Sequence, residues 1–98
     1  MKAQPVLFDR IECGDDAVAH VVVWAVSEPV PPTRHGYKYR LAYVVNGECV
    51  LRFDNERGNG DHRHAGSVET GYVFTTLDAL IDDFTTAIGR WNHENDLV

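Results

Sequence analysis

The chain has 98 residues, 44% hydrophobic and 24% charged, which fits one soluble globular domain with a modest core and leaves no room for a second. A formal charge of -6 argues against indiscriminate nucleic-acid binding, which draws its affinity from lysines and arginines that displace counterions. The longest apolar run, residues 17–26, is broken by His20, and Cys13 and Cys49 lack a CxxC spacing, so the expectation is a cytoplasmic chain with no membrane span and with buried or inert thiols rather than a disulfide.

The segment "QPVLFDRIEC" alternates apolar Val6, Phe8 and Ile11 with polar residues, and "GDD" then supplies turn chemistry before "AVAHVVVWAVSE". Together they read as a hairpin. The second strand is apolar on both alternating faces, as expected of a strand covered on both sides, and His20 within it reads as a satisfied core histidine. In "PVPPTRHG" the prolines exclude a helix interior and ladder pairing, so residues 29–36 form an extended loop. His35 joins a site only if this loop folds over the sheet end.

The runs "YKYRLAYVV" and "CVLRFD" flank Asn46-Gly47, the strongest short-range signal for a two-residue hairpin turn. Counting outward pairs Val45 with Glu48, Val44 with Cys49, Ala42 with Leu51 and Arg40 with Phe53. That register places Ala42, Val44, Cys49, Leu51 and Phe53 on the core side. Tyr39, Leu41, Tyr43, Val50, Arg52 and Asp54 fall on a mixed outer face.

Thr75 with Asp78 forms a plausible capping pair, and Leu77, Leu80, Ile81, Phe84, Ile88 and Trp91 recur at helical spacing. The expected fold is α+β: a four-stranded antiparallel β-meander over residues 5–55, a polar loop at 56–70, and a C-terminal helix at 75–92 packed on one sheet face. The charge is uneven. Residues 37–76 are balanced between acids and bases, whereas 77–98 are strongly acidic. Asp78, Asp82 and Asp83 make the helix's solvent side acidic, and its apolar stripe exceeds what one small sheet covers. This favours a partner protein or a homodimer contact.

The stretch "KYRLAYVVNGECVLRFDNERGNGDHRH", followed by "GYVFTTLDALIDDF" and preceded by "VSEPVPPTRHGYKYR", resembles the TumE family of small proteins from toxin-antitoxin pairs. The resemblance runs from about Val21 to Trp91, and its most specific parts are the Tyr-Arg strand, "RFDNERG" and "GDHRH". It implies a toxin partnered by a small DNA-binding antitoxin. It carries no catalytic assignment, so the chemistry must come from the residues.

"RFDNERGNGDHRHAG" gathers three arginines and an HxH pair beside glycines. Metal-free RNA cleavage needs a base for the 2′-hydroxyl, an acid for the 5′-oxygen and cations around the phosphate. His62 and His64 suit the proton transfers. Arg52 grips a phosphate oxygen while Asp54 orients a histidine, and Arg57, Arg63, Asn55 and Tyr39 are candidate substrate-binding groups. In an extended segment residues i and i+2 share a face, so His62 and His64 could bind one divalent ion with Asp61 or Asp54 nearby, an alternative metal site.

Structural readings stand beside these. Loop histidines are commonly just solvated, and Asn55 bonds backbone amides at a strand end. Trp24 and Trp91 read as core or partner contacts, because no basic residues are interleaved with them. Two functions follow: an RNA-directed nuclease toxin with no required cofactor, silenced by a DNA-binding antitoxin, or a noncatalytic binding module.

Overall fold

The computed structural model describes residues 3–56 and 58–95. It contains β1 (Ala3–Gly14), β2 (Ala17–Val26), β3 (Tyr37–Val45), β4 (Glu48–Glu56), β5 (Gly60–Ala65), β6 (Val68–Gly71) and α1 (Leu77–Glu94). The strands form one sheet in chain order, each antiparallel to the next. The α+β class and the C-terminal helix on one sheet face are as expected from the sequence.

The sheet has six strands rather than four, because residues 56–70 are not a loop. Gly66 sits at the first central position of a two-residue turn with φ +61, the backbone that a tight hairpin requires there. Ala65 pairs with Val68 and His64 with Glu69 around it. Polar residues occupy much of both faces of this hairpin, so no apolar alternation marks it in the sequence.

Asn46 and Gly47 have φ of 53 and 77, as a primed hairpin turn demands. The first pairs beside the turn, Val45 with Glu48 and Val44 with Cys49, match the counted register. The ladder then slips, so that Tyr43 faces Leu51, Leu41 faces Phe53 and Arg40 faces Asp54. An extra residue at Val50 bulges out of β4, and beyond it every β4 side chain meets the other set of β3 side chains. The core side of β3 is therefore Tyr39, Leu41, Tyr43 and Val45, all buried, and not Ala42 and Val44. The bulge aligns the bulkier side chains of both strands on the helix side. Leu41, Tyr43 and Phe53 have no exposed surface, each contributing about 1.5–3 kcal/mol of transfer free energy on burial.

Ala17, Ala19, Val21 and Val23 of β2 extend this core, and Leu80, Phe84 and Ala87 of α1 close it. Leu77, Ile81, Ile88 and Trp91 pack around its rim, so the apolar stripe read from the sequence is the packed one. The Phe84 ring meets the Phe53 ring at 5.7 Å, and Trp91 meets Tyr43 at 5.9 Å, both edge-on. The helix is capped by Thr76 and not Thr75, since the Thr76 hydroxyl accepts from Ala79 N at 3.1 Å.

The opposite sheet face carries no helix. Cross-strand neighbours there run Arg10, His20, Ala42, Arg52, His64, Glu69 in one row and Phe8, Val22, Arg40, Asp54, His62 in the next. His20 is exposed on this face. It is not the core histidine expected, because its neighbours Ala19 and Val21 fill the core from the alternate positions. Cys13 and Cys49 are free and exposed.

Candidate functional site

The row structure of the open face decides which polar side chains meet. Arg52 on β4 lies opposite His64 on β5, and Asp54 lies opposite His62. Asp54 is almost fully buried, at 5% exposure, and Arg52 Nε approaches its Oδ2 at 3.0 Å. Apart from this ion-pair contact neither atom has a hydrogen-bond partner among the described residues. The carboxylate thus supports the guanidinium from beneath, electrostatically.

The other end of Arg52 reaches His64, with Nη2 to Nε2 at 3.0 Å. Arginine only donates, so in this contact His64 Nε2 is the acceptor and its proton resides on Nδ1. The same Nε2 stands 3.5 Å from Glu69 Oε2 and 3.9 Å from Asp54 Oδ1, so a protonated ring finds carboxylates without moving far. His62 lies one step along the strand, with Nδ1 at 3.4 Å from the Gly60 carbonyl oxygen and Nε2 at 3.9 Å from Glu69 Oε2. Side chains two residues apart on a strand stand roughly 7 Å apart, the separation at which two groups flank one phosphate. Arg52, His62 and His64 keep about a quarter of their side-chain surface in solvent. The cluster is supported from below and open from above.

The four candidate catalytic residues Arg52, Asp54, His62 and His64 therefore come together. Most of the candidate binding residues do not. Arg63 alternates to the helix side, where its guanidinium carbon lies 5.4 Å from the Phe53 ring centroid, and it cannot share a phosphate with Arg52. Tyr39 is 2% exposed and Asn55 is fully buried: the slipped register carries Tyr39 to the helix side, and Asn55 lies there by alternating with Leu51 and Phe53. Asn55 accepts from Tyr39 N at 2.8 Å and donates to the Tyr37 carbonyl at 2.7 Å, just beyond the last paired residues Arg40 and Asp54. Its side chain extends the ladder, which is its structural reading. Arg57 lies outside the described residues.

The alternative metal set is divided by the same alternation. Asp61 points to the helix side, away from His62 and His64, so the three do not converge. Among the described residues no group of three His, Cys, Asp or Glu side chains is placed to hold a metal ion. Asp61 instead anchors the proline loop. His35 Nε2 and the Tyr39 hydroxyl reach its Oδ1 at 2.8 and 2.6 Å, and the His35 ring stacks on Phe74 at 3.8 Å. Tyr37 N donates to His35 Nδ1, which assigns the ring proton to Nε2. Burial, reinforced by the hydrogen bond to Asp61, pushes the Tyr39 phenol well above its ordinary range.

Glu69 is the site residue that the sequence reading missed. Its signal was present: treating Gly66-Ser67 as a two-residue hairpin turn pairs Ala65 with Val68 and sets Glu69 opposite His64. Arg40 and Lys38 were equally hidden, since they reach this face only through the slipped register.

The free sheet face of this one-helix α+β protein thus carries a supported guanidinium, paired histidines and reachable carboxylates. A family model described as Toxin TumE matches residues 3–92. The chain belongs to the TumE toxin family and is a toxin of that family. No curated protein and no solved structure matches it. No helix among the described residues is long and apolar enough to cross a membrane.

Proposed function

We propose that this toxin acts on RNA inside the cell, cleaving phosphodiester bonds with His62 and His64 on the open sheet face. The observation that carries the reading is the contact of Arg52 Nη2 with His64 Nε2 at 3.0 Å, which places an unprotonated ring nitrogen beside a cation suited to phosphate. As the guanidinium turns from His64 to the phosphate, the freed Nε2 lone pair takes the 2′-hydroxyl proton while the 2′-oxygen attacks phosphorus. His62 gives its proton to the 5′-oxygen as the P–O5′ bond breaks, leaving a 2′,3′-cyclic phosphate. Arg52, held by Asp54, neutralises the charge that gathers on the non-bridging oxygens. Glu69, within 3.9 Å of both rings, steadies whichever histidine is protonated.

Neutralisation by a small DNA-binding antitoxin completes the reading. The edge strand β1 offers it a surface, with Val6, Leu7, Phe8 and Ile11 all exposed and an unpaired backbone edge able to receive a partner strand.

The test is cleavage of RNA by the purified toxin with and without chelator. Chelator-resistant cleavage, a bell-shaped pH profile and a cyclic-phosphate product are expected, and His62→Ala or His64→Ala should abolish turnover while circular dichroism stays unchanged. A folded His62→Ala, His64→Ala double variant that arrests growth like the wild type would sink the catalytic reading. Toxicity would then rest on binding alone.

A further inference from the structure

We infer that the substrate is single-stranded RNA, threaded across the open sheet face so that a base stacks on Trp24 while the scissile phosphate sits at His62 and His64; this rests on the RNA-directed reading above. Trp24 is half-buried on β2 and faces the same side as the histidines. Phe8, 54% exposed, meets its ring edge-on at 4.8 Å and 82°, so the indole is braced rather than loose. A braced aromatic pair on an open sheet face is the kind of surface on which unstacked bases settle.

Cations accompany it. Lys38 lies directly opposite Trp24, and Arg40 lies opposite Val22 and also opposite Asp54. Both are exposed. Val22, Trp24, Lys38 and Arg40 line one shallow groove that ends at Asp54 and Glu56. The basic groups missing from Trp24's own segment thus arrive from the neighbouring strand. Arg40 sits between Trp24 on one side and the Arg52–Asp54–His62 group on the other, so phosphates can be passed from one cation to the next. Strand spacing of about 4.8 Å and a two-residue step put Trp24 roughly 16 Å from His62, a span of a few nucleotides along an extended strand.

A duplex cannot use this surface, because its bases are already stacked and cannot reach an indole on a broad sheet. The substrate class is therefore an unpaired segment, and Trp24, Lys38 and Arg40 set binding without taking part in bond cleavage.

The experiment uses the full chain and 2′-O-methyl RNA, which lacks the attacking hydroxyl and is not consumed. Binding of a dye-labelled unstructured oligomer is measured by anisotropy beside a hairpin of the same composition. The single strand should bind more tightly, Trp24→Ala should weaken it by about tenfold, and Lys38→Glu should weaken it and flatten its salt dependence. In a Trp91→Phe background, where Trp24 is the remaining tryptophan, binding should quench indole emission. Cleavage of a dinucleotide, too short to reach Trp24, should be unchanged by Trp24→Ala.

Equal affinity for the hairpin, no quenching, or full binding by folded Trp24→Ala overturns the inference. Should Trp24→Ala not fold, the quenching and Lys38→Glu arms decide. RNA that quenches Trp24 but is never cleaved leaves the platform standing and removes the nuclease. Cleavage with no dependence on Trp24 or Lys38 does the reverse.

Discussion

Asn55→Ala isolates how the end of the sheet is held. Asn55 has no exposed surface, and its amide satisfies the Tyr39 N–H at 2.8 Å and the Tyr37 carbonyl at 2.7 Å. Alanine removes both partners at once. Each buried backbone group left unsatisfied costs about 1–3 kcal/mol, so the expected loss is about 2–6 kcal/mol against a total stability of about 5–15 kcal/mol for a domain of this size. For a chain of this length that lowers Tm by roughly 10 °C or more. Asn55→Asp keeps an acceptor for Tyr39 N but loses the donor and buries a charge, so it should fall at least as far at neutral pH. Thermal unfolding followed by circular dichroism measures both. A melting temperature for Asn55→Ala within about 2 °C of wild type would refute the reasoning, because it would mean that water reaches the two backbone groups and the side chain does not extend the ladder.

The Tyr39 and Tyr72 phenols are both raised in the fold, first by burial and then by hydrogen bonds to Asp61 and Asp83. The unfolded chain therefore loses these protons at lower pH than the folded one, so this stabilisation is complete below the ordinary tyrosine range near 10 and is lost as pH rises beyond it. Chemical denaturation from pH 8 to 11 should show stability falling above about pH 10, with phenolate absorbance from the pair appearing only on unfolding; a flat profile would contradict it. Arg52→Lys should retain the fold but lose roughly tenfold or more in growth arrest, because one ammonium cannot span Asp54 and His64 as the guanidinium does; an equal dose response would show that the bridge is dispensable. Gly60→Ala should cost about 1–3 kcal/mol, since φ is +75 and a Cβ would come within 3.3 Å of Pro32 Cγ. Gly66→Ala, with φ +61 and open space around it, should cost less, and melts of the two variants side by side would expose an inverted order.

Much of the molecule follows from local chemistry that any segment carries with it. Asn46-Gly47 dictates a hairpin because both residues tolerate positive φ, and the stripe from Leu77 to Trp91 dictates an amphipathic helix because its spacing repeats every turn. The pairing of His62 with His64 on one face follows from strand alternation alone, and Arg52 and Asp54 share a face for the same reason. The family was also legible, in "RFDNERG" and "GDHRH".

The bulge at Val50 was not legible. It is settled by competition between two registers, and the winner is the one that buries Tyr43, Leu41, Leu51 and Phe53 beneath Phe84 and Leu80, contacts between residues far apart in the chain. That single slip sends Tyr39 into the core, where Asn55 already lies by alternation with Phe53, and brings Arg40 across to Asp54. The partition of the β5 polar residues likewise needed the strand to exist: alternation sends Asp61 and Arg63 to the helix side and His62 and His64 to the open one. A run of polar residues gives no sign of which side is covered, because hydrophobic contrast is what identifies a strand face in a sequence. Only the packing of α1 against one face of the sheet supplied that contrast.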